Sequence, residues 1–152
     1  MTILKPDLIT LTHFNEHYHF TNQIKTMAIN PKTPGIHHIN LRSSNLQASK
    51  EFYQNTIGFP ILIDTPDLFA FPVGGVFIVF KKADDNTKFN PFTIGTDHLA
   101  IACESEDELH RVAQGLADAG VENTGVKLDP TLQKNYVAFK DPDRIQWEFY
   151  MV

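Results

Sequence analysis

Three residues in three separate apolar runs carry the chemistry legible in this chain: His38 in GIHHINL, His98 in GTDHLAI and Glu148 in DPDRIQWEFY. Neutral imidazole and carboxylate are both donors for first-row divalent metals. A set of two histidines and one carboxylate leaves coordination positions open for a substrate. The chemistry this points to is metal-assisted, with one divalent ion as cofactor; the donor set favours Fe2+ or Mn2+ and admits Zn2+, Ni2+ or Co2+.

Strand parity tests whether the three can share a site, because alternate side chains point to opposite faces of a sheet. In the first strand Ile39 and Leu41 are predicted to face a helix, which puts His38, Asn40 and Arg42 on the other side. In the second run Leu99 and Ile101 take the helix side and leave His98 opposite. In the last strand Ile145, Trp147 and Phe149 form the core set, leaving Gln146, Glu148 and Tyr150 on the polar face. A histidine without a role falls on either side equally often, so agreement in all three strands favours a shared site over three separately solvated residues. By the same rule His37 points away from His38 and is excluded, and Cys103 points to the core, where a lone thiol is inert.

The elements that position these residues form a repeat. Gly35, His38 and Leu41 recur as Gly95, His98 and Ile101 at a displacement of 60 (95 − 35, 98 − 38, 101 − 41). Each copy continues into a helix. The first is predicted over about Leu46 to Thr56 with Gly58 as its stop; the second opens on a Ser105/Glu108 capping box and ends at Gly120. Strands are then predicted over about 61–64, 68–73 and 76–82, and again over about 126–128, 136–140 and 145–151. The fold class is α+β: two paired βαβββ modules, 34–82 and 95–152, joined by a linker over 83–94, a duplication that would place the three strands together around a concavity. Residues 1–33 form an N-terminal extension. Its histidines His13, His17 and His19 could share a helix face, but a polar docking segment explains them better than a metal site.

Composition excludes other classes. A net charge of −5 without a basic run argues against nucleic acid as a partner. No apolar stretch reaches the roughly 20 residues of a membrane span. A single cysteine and the absence of a secretory pattern at the start predict a cytoplasmic protein.

The runs GIHHINLRSSNLQASKEFYQNTIGFPIL, GTDHLAIACESEDELHRVAQGLADAGV and VAFKDPDRIQWEFY resemble the vicinal oxygen chelate superfamily, which includes glyoxalase I, bleomycin-resistance proteins and extradiol dioxygenases. The resemblance spans about Pro34 to Val152. It implies a cleft in which His38, His98 and Glu148 hold the metal and a small-molecule substrate binds through two adjacent oxygens, and it implies a homodimer. Many members place a fourth ligand in the last strand of the first module. Superposing the halves at a displacement of 68 puts Phe80 in that slot (148 − 80), with Ile78 beside it, so the slot holds no ligand and Phe80, Ile78, Gln146 and Tyr150 are predicted to line a substrate pocket.

An empty slot favours oxygenase-like chemistry over the non-oxidative isomerase, lyase or transferase branch, and either enzyme over a drug-sequestering protein without catalysis. Tyr136 is the candidate proton donor, in place of the Tyr that extradiol enzymes carry at the position held here by Ala138. Arg42 is the candidate clamp for a substrate anion, and Asn40 a candidate for orienting substrate oxygens.

Overall fold

The computed structural model of the protein describes Ile29 and residues 31–152, so His13, His17 and His19 lie outside the described residues. The chain divides into two units, Met1–Pro34 and Gly35–Val152, and the repeat occupies the second. In that unit β1 (His38–Ser43) is followed by α1 (Leu46–Glu51), β2 (Ile63–Asp64), β3 (Leu68–Val73) and β4 (Val76–Lys82). The plan recurs as β5 (Leu99–Cys103), α2 (Glu106–Asp118), β6 (Lys127–Asp129), β7 (Lys134–Lys140) and β8 (Gln146–Met151). Each module forms a four-stranded mixed sheet, ordered β1-β4-β3-β2 in the first and β5-β8-β7-β6 in the second. In both, the opening strand runs parallel to the closing strand and the other pairs are antiparallel. The crossover helix supplies the return that a parallel pair requires.

Capping residues set the helix starts. The Asn45 side-chain oxygen accepts from the Ala48 N–H at 3.1 Å, and the Ser105 hydroxyl accepts from the Glu108 N–H at 3.1 Å, each satisfying an orphan donor. Only half of the predicted capping box forms, because the Glu108 carboxylate turns to the Arg111 guanidinium three residues on. The first helix also departs from its predicted form: after Glu51 it widens into a π-helical turn, Phe52–Ile57. That turn closes at Gly58, whose φ of 91° only glycine adopts freely. The N–H groups of Gly58 and Phe59 both donate to the Tyr53 carbonyl, at 3.1 and 2.9 Å.

The helix-facing sides of the two sheets share one core, with Tyr53 at its centre. The Tyr53 ring lies 4.9 Å from both Phe71 and Phe80 and meets the Trp147 ring edge-on at 5.7 Å, so side chains of both modules surround it. Each such fully buried large side chain contributes roughly 1.5–3 kcal/mol.

A polar interlock joins the modules at the turn between β7 and β8. The Tyr53 hydroxyl donates to Asp141 Oδ2 at 2.7 Å, while Asp141 Oδ1 accepts the amides of Asp143 and Ile145 at 2.9 and 2.8 Å. Asp143 reaches back to the first module: its carboxylate accepts the Ser44 amide (3.1 Å), the Ser44 hydroxyl and the Ser49 hydroxyl (3.2 Å), and pairs with Lys88 at 3.2 Å. Both carboxylates are buried. Burial pushes Asp141 up to about 6, against the pull of the Tyr53 hydroxyl and the Ile145 amide. Burial acts on Asp143 in the same direction, but the Ser43 and Ser44 hydroxyls, the Ser44 amide and Lys88 outweigh it and hold its carboxyl below the usual range.

Asp141 therefore makes stability depend on pH. Its folded value lies above the ordinary 3.8, so the folded protein keeps a proton that the unfolded chain has released. The stabilisation is complete below the ordinary value and is lost as pH rises through about 6, a difference of roughly 3 kcal/mol. Asp141→Asn keeps an acceptor for the two turn amides and removes the charge. Denaturant unfolding between about pH 4 and 7 is expected to show a fall in stability in the parent that flattens in the variant. Parallel curves would place the titration elsewhere.

Candidate metal centre

β1 buries Ser43 and half-buries Ile39 and Leu41 on the core side, and exposes His38, Asn40 and Arg42 on the other, as parity predicts. Register places Phe77, Val79 and Lys81 of β4 beside them on the same face. Arg42 spends one donor on the Lys82 carbonyl at 2.8 Å, which ties the predicted substrate clamp to the end of its own sheet. His37 corrects the parity argument. It precedes the first residue of β1, so alternation does not govern it, and its Nδ1 lies 2.9 Å from His38 Nδ1 with the two rings edge to face.

On the second sheet His98 immediately precedes β5, and Glu148 pairs across the strands with Ala100 and Ala138. His98 Nε2 stands 3.6 Å from Glu148 Oε2. The other ring nitrogen, Nδ1, is 2.6 Å from Asp97 Oδ1. A carboxylate oxygen can only accept, so Nδ1 carries a proton toward Asp97, and Nε2 is the ring nitrogen turned to Glu148. Glu148 is 8% exposed and its Oε1 accepts from the Gln146 amide at 3.3 Å. Around it the face is floored by small residues: Ala138, and the exposed Ala100 and Ala102. Nε2 and the nearly buried Glu148 oxygen are thus two donor atoms close enough for one cation or one proton to bridge.

The three predicted ligands do not all converge within one chain. His98 and Glu148 meet; among the described residues no group of three or more His, Cys, Asp or Glu side chains is placed to hold a metal ion. His38 lies on the outward face of the other sheet, because the modules pack through their helix-facing sides and leave both outward faces open.

Two predicted pocket residues are also misplaced. Phe80 and Ile78 are buried in the core on the Tyr53 side. The displacement of 68 holds for β3 and β7, where Ala70 corresponds to Ala138 (138 − 70). The following hairpin is longer in the second module, with five residues between the paired Lys140 and Gln146 against four between Pro72 and Phe77. From there the displacement is 69, and Glu148 corresponds to half-buried Val79 (148 − 79). The fourth position is apolar, as expected, but a different residue fills it.

The profile of the Glyoxalase/Bleomycin resistance protein/Dioxygenase superfamily matches residues 35–149. The chain belongs to that superfamily. It is 28% identical over 124 residues to the uncharacterized protein YwkD of Bacillus subtilis, covering 76% of this chain and 94% of that protein. It is 26% identical over 115 residues to the metallothiol transferase FosB of Lysinibacillus sphaericus, covering 76% of this chain and 80% of that protein. The crystal structure of a glyoxylase/bleomycin resistance protein/dioxygenase domain from Frankia sp. EAN1pec superposes with a TM-score of 0.67 at 26% identity, covering 79% of this chain and 98% of that one.

The remaining candidates of this superfamily member lie on the Glu148 face. Tyr136 and Tyr150 are cross-strand partners whose rings stack at 6.0 Å. The Tyr150 hydroxyl donates to Asp129 Oδ2 at 2.6 Å, and that bond, first among its causes, pushes the phenol up to about 12. Tyr150 is thus held as a donor rather than poised to lose its proton. Asp97 is the neighbour sequence reading passed over. Its signal was an acid directly before His98 at a strand entry, where the backbone can turn both side chains together.

Asp97 sets the tautomer of His98. Nitrogen-15 NMR of chelator-treated protein is expected to show the Nδ1–H form of His98, shifting toward Nε2–H in Asp97→Ala. An unchanged tautomer would remove Asp97 from the site.

Proposed function

We propose that the protein is a metal-dependent enzyme that binds a small substrate through adjacent oxygens. In this reading His98 and Glu148 of one chain and His38 of a second copy hold one divalent ion. The observation that carries the reading is the spacing of the His98–Glu148 pair. Two donors about 2.1 Å from a common ion lie roughly 3.0–3.4 Å apart at octahedral to tetrahedral angles, and the 3.6 Å found here is a small adjustment away. Asp97 holds the His98 ring in the ligating tautomer, as carboxylate neighbours of metal-bound histidines do. His38 sits on an outward face, where a two-fold partner would bring it to the pair and complete two identical sites in a homodimer.

The chemistry such an ion supplies is Lewis-acid polarisation of the paired substrate oxygens. Glu148 brings the negative charge that holds it; Ala100, Ala102 and Ala138 leave room above the pair; Tyr136 can move a proton at its hydroxyl. The similarity to a metallothiol transferase supports non-oxidative group transfer, ahead of the oxygenase-like chemistry favoured on sequence. Fe2+ and Mn2+ remain the ions best matched to the donor set. A cytoplasmic location fits the single buried cysteine.

Metal analysis of protein purified without chelator tests the reading. Wild type is expected to bind about one ion per chain, and His38→Ala, His98→Ala and Glu148→Ala to lose it. An equilibrated mixture of the His38→Ala and His98→Ala chains should regain roughly a quarter of the sites, because half of the dimers are mixed and each of those carries one intact site. Metal-free wild type with variants of unchanged stability would favour a ligand-sequestering protein instead. Ring cleavage of a catechol panel, without activity on thiol and electrophile pairs, would return the oxygenase to first place.

A further inference from the structure

The turn that carries the interlock also carries a backbone anomaly. Arg144 has φ of 67°, one of two positive values among the described residues that are not glycine. An unbranched cationic side chain gains nothing from that region, and glycine would adopt it without strain. The turn holds it there firmly: Arg144 N–H donates to the Asp141 carbonyl at 2.9 Å, and Asp141 N–H donates to the Ile145 carbonyl at 3.1 Å. Strain at a rigid position points to a use for the side chain it carries.

Arg144 lines a cavity of about 380 Å³ within the second module, together with Lys140, Gln146, Ala138 and the segment Glu122–Thr124. Neither Lys140 nor Arg144 is in an ion pair among the described residues. The two acids in the wall differ. Asp141 is buried and its oxygens are taken by Tyr53 and the turn amides, whereas Glu122 is exposed. Gln146 connects the cavity to the candidate metal centre, since its amide donates to Glu148 at 3.3 Å. Along β8 the two residues are one same-face step apart, roughly 6.6 Å.

We propose that this cavity is an oxyanion subsite, in which Lys140 and Arg144 hold a carboxylate or phosphonate of the substrate while its adjacent oxygens reach the His98–Glu148 pair. The substrate class is then a small acid whose charged group is separated by a short spacer from its two vicinal oxygens. This rests on the metal-centre reading for its second half only. Guanidinium and ammonium donors recognise such groups through charge-assisted hydrogen bonds, and Glu122 at the rim tempers the affinity.

The test uses the full chain, with methylphosphonate as probe and dimethyl sulfone as its neutral control. Chemical shifts of the Gln146 side-chain amide and the Arg144 guanidinium are followed by NMR. Saturable shifts are expected with the anion alone. Lys140→Met and Arg144→Gly should each weaken binding by roughly tenfold, and Glu122→Gln should tighten it. Arg144→Gly relieves the turn, so a thermal midpoint at or above the parent's certifies its fold. His98→Ala should bind the probe as the parent does, while the Lys140 and Arg144 variants should keep their metal content, which separates failure here from failure of the metal centre. Equal response to the neutral control, no saturation, or binding that survives the Lys140→Met/Arg144→Gly double variant would overturn the subsite.

Discussion

The arrangement of both modules hangs on two buried aspartates in one five-residue turn. Asp141 uses one oxygen to shape the turn and the other to accept the Tyr53 hydroxyl, while Asp143 is spent on Ser44, Ser49 and Lys88. Buried carboxylates are costly unless each lone pair finds a donor, and removing a partner leaves that cost exposed. Tyr53, Ser44 and Ser49 among these donors belong to the opposite module, so satisfying the charges also docks the modules. The two acids differ in how well they are served. Asp143 has enough donors to stay below its usual range; Asp141, despite three, is driven up by burial. The interlock therefore combines one acid stable as an anion with one better suited to carry a proton.

That turn also sets the register of β8, and with it the chemistry on the outward face. Ile145 and Trp147 enter the core directly after it, which forces Gln146, Glu148 and Tyr150 outward by alternation. Along that face the character changes in sequence: cations and an amide near the turn, the His98–Glu148 pair at the middle, and the stacked Tyr136 and Tyr150 at the far end. Small residues flank the nearly buried Glu148 on both neighbouring strands. A bulkier neighbour than Ala100, Ala102 or Ala138 would fill the space that His98 and any bound group must share.

Much of this was legible from the residues. The recurrence of Gly, His and an apolar residue at a fixed displacement revealed the two modules, and alternation sorted the faces of β1, β5 and β8 correctly, because both signals are local. The failures trace to features that are not. Phe80 was set in the cleft since one extra residue in the β7–β8 hairpin shifts the register after it, and a loop-length difference leaves no mark on the periodicity of either strand. His37 was assigned by alternation at a position where no strand yet exists. The π-helical turn after Glu51 escaped notice because its apolar stripe resembles that of an ordinary helix. Convergence of the three ligands was inferred from shared faces, but face and distance are separate questions. Two sheets can both turn their polar sides outward while packing back to back.

The back-to-back packing sets where His38 stands relative to the His98–Glu148 pair. The modules spend their apolar sides on one another, with Tyr53 enclosed by rings from both. Their outward faces then look away from the shared core, with His38 on one and Glu148 on the other. A two-fold axis removes the obstacle at no cost to the core. In the proposed homodimer it would set the His38 face of one protomer against the His98 face of the other, twice by symmetry. There the third ligand comes from a second copy because each chain buries its repeat against itself.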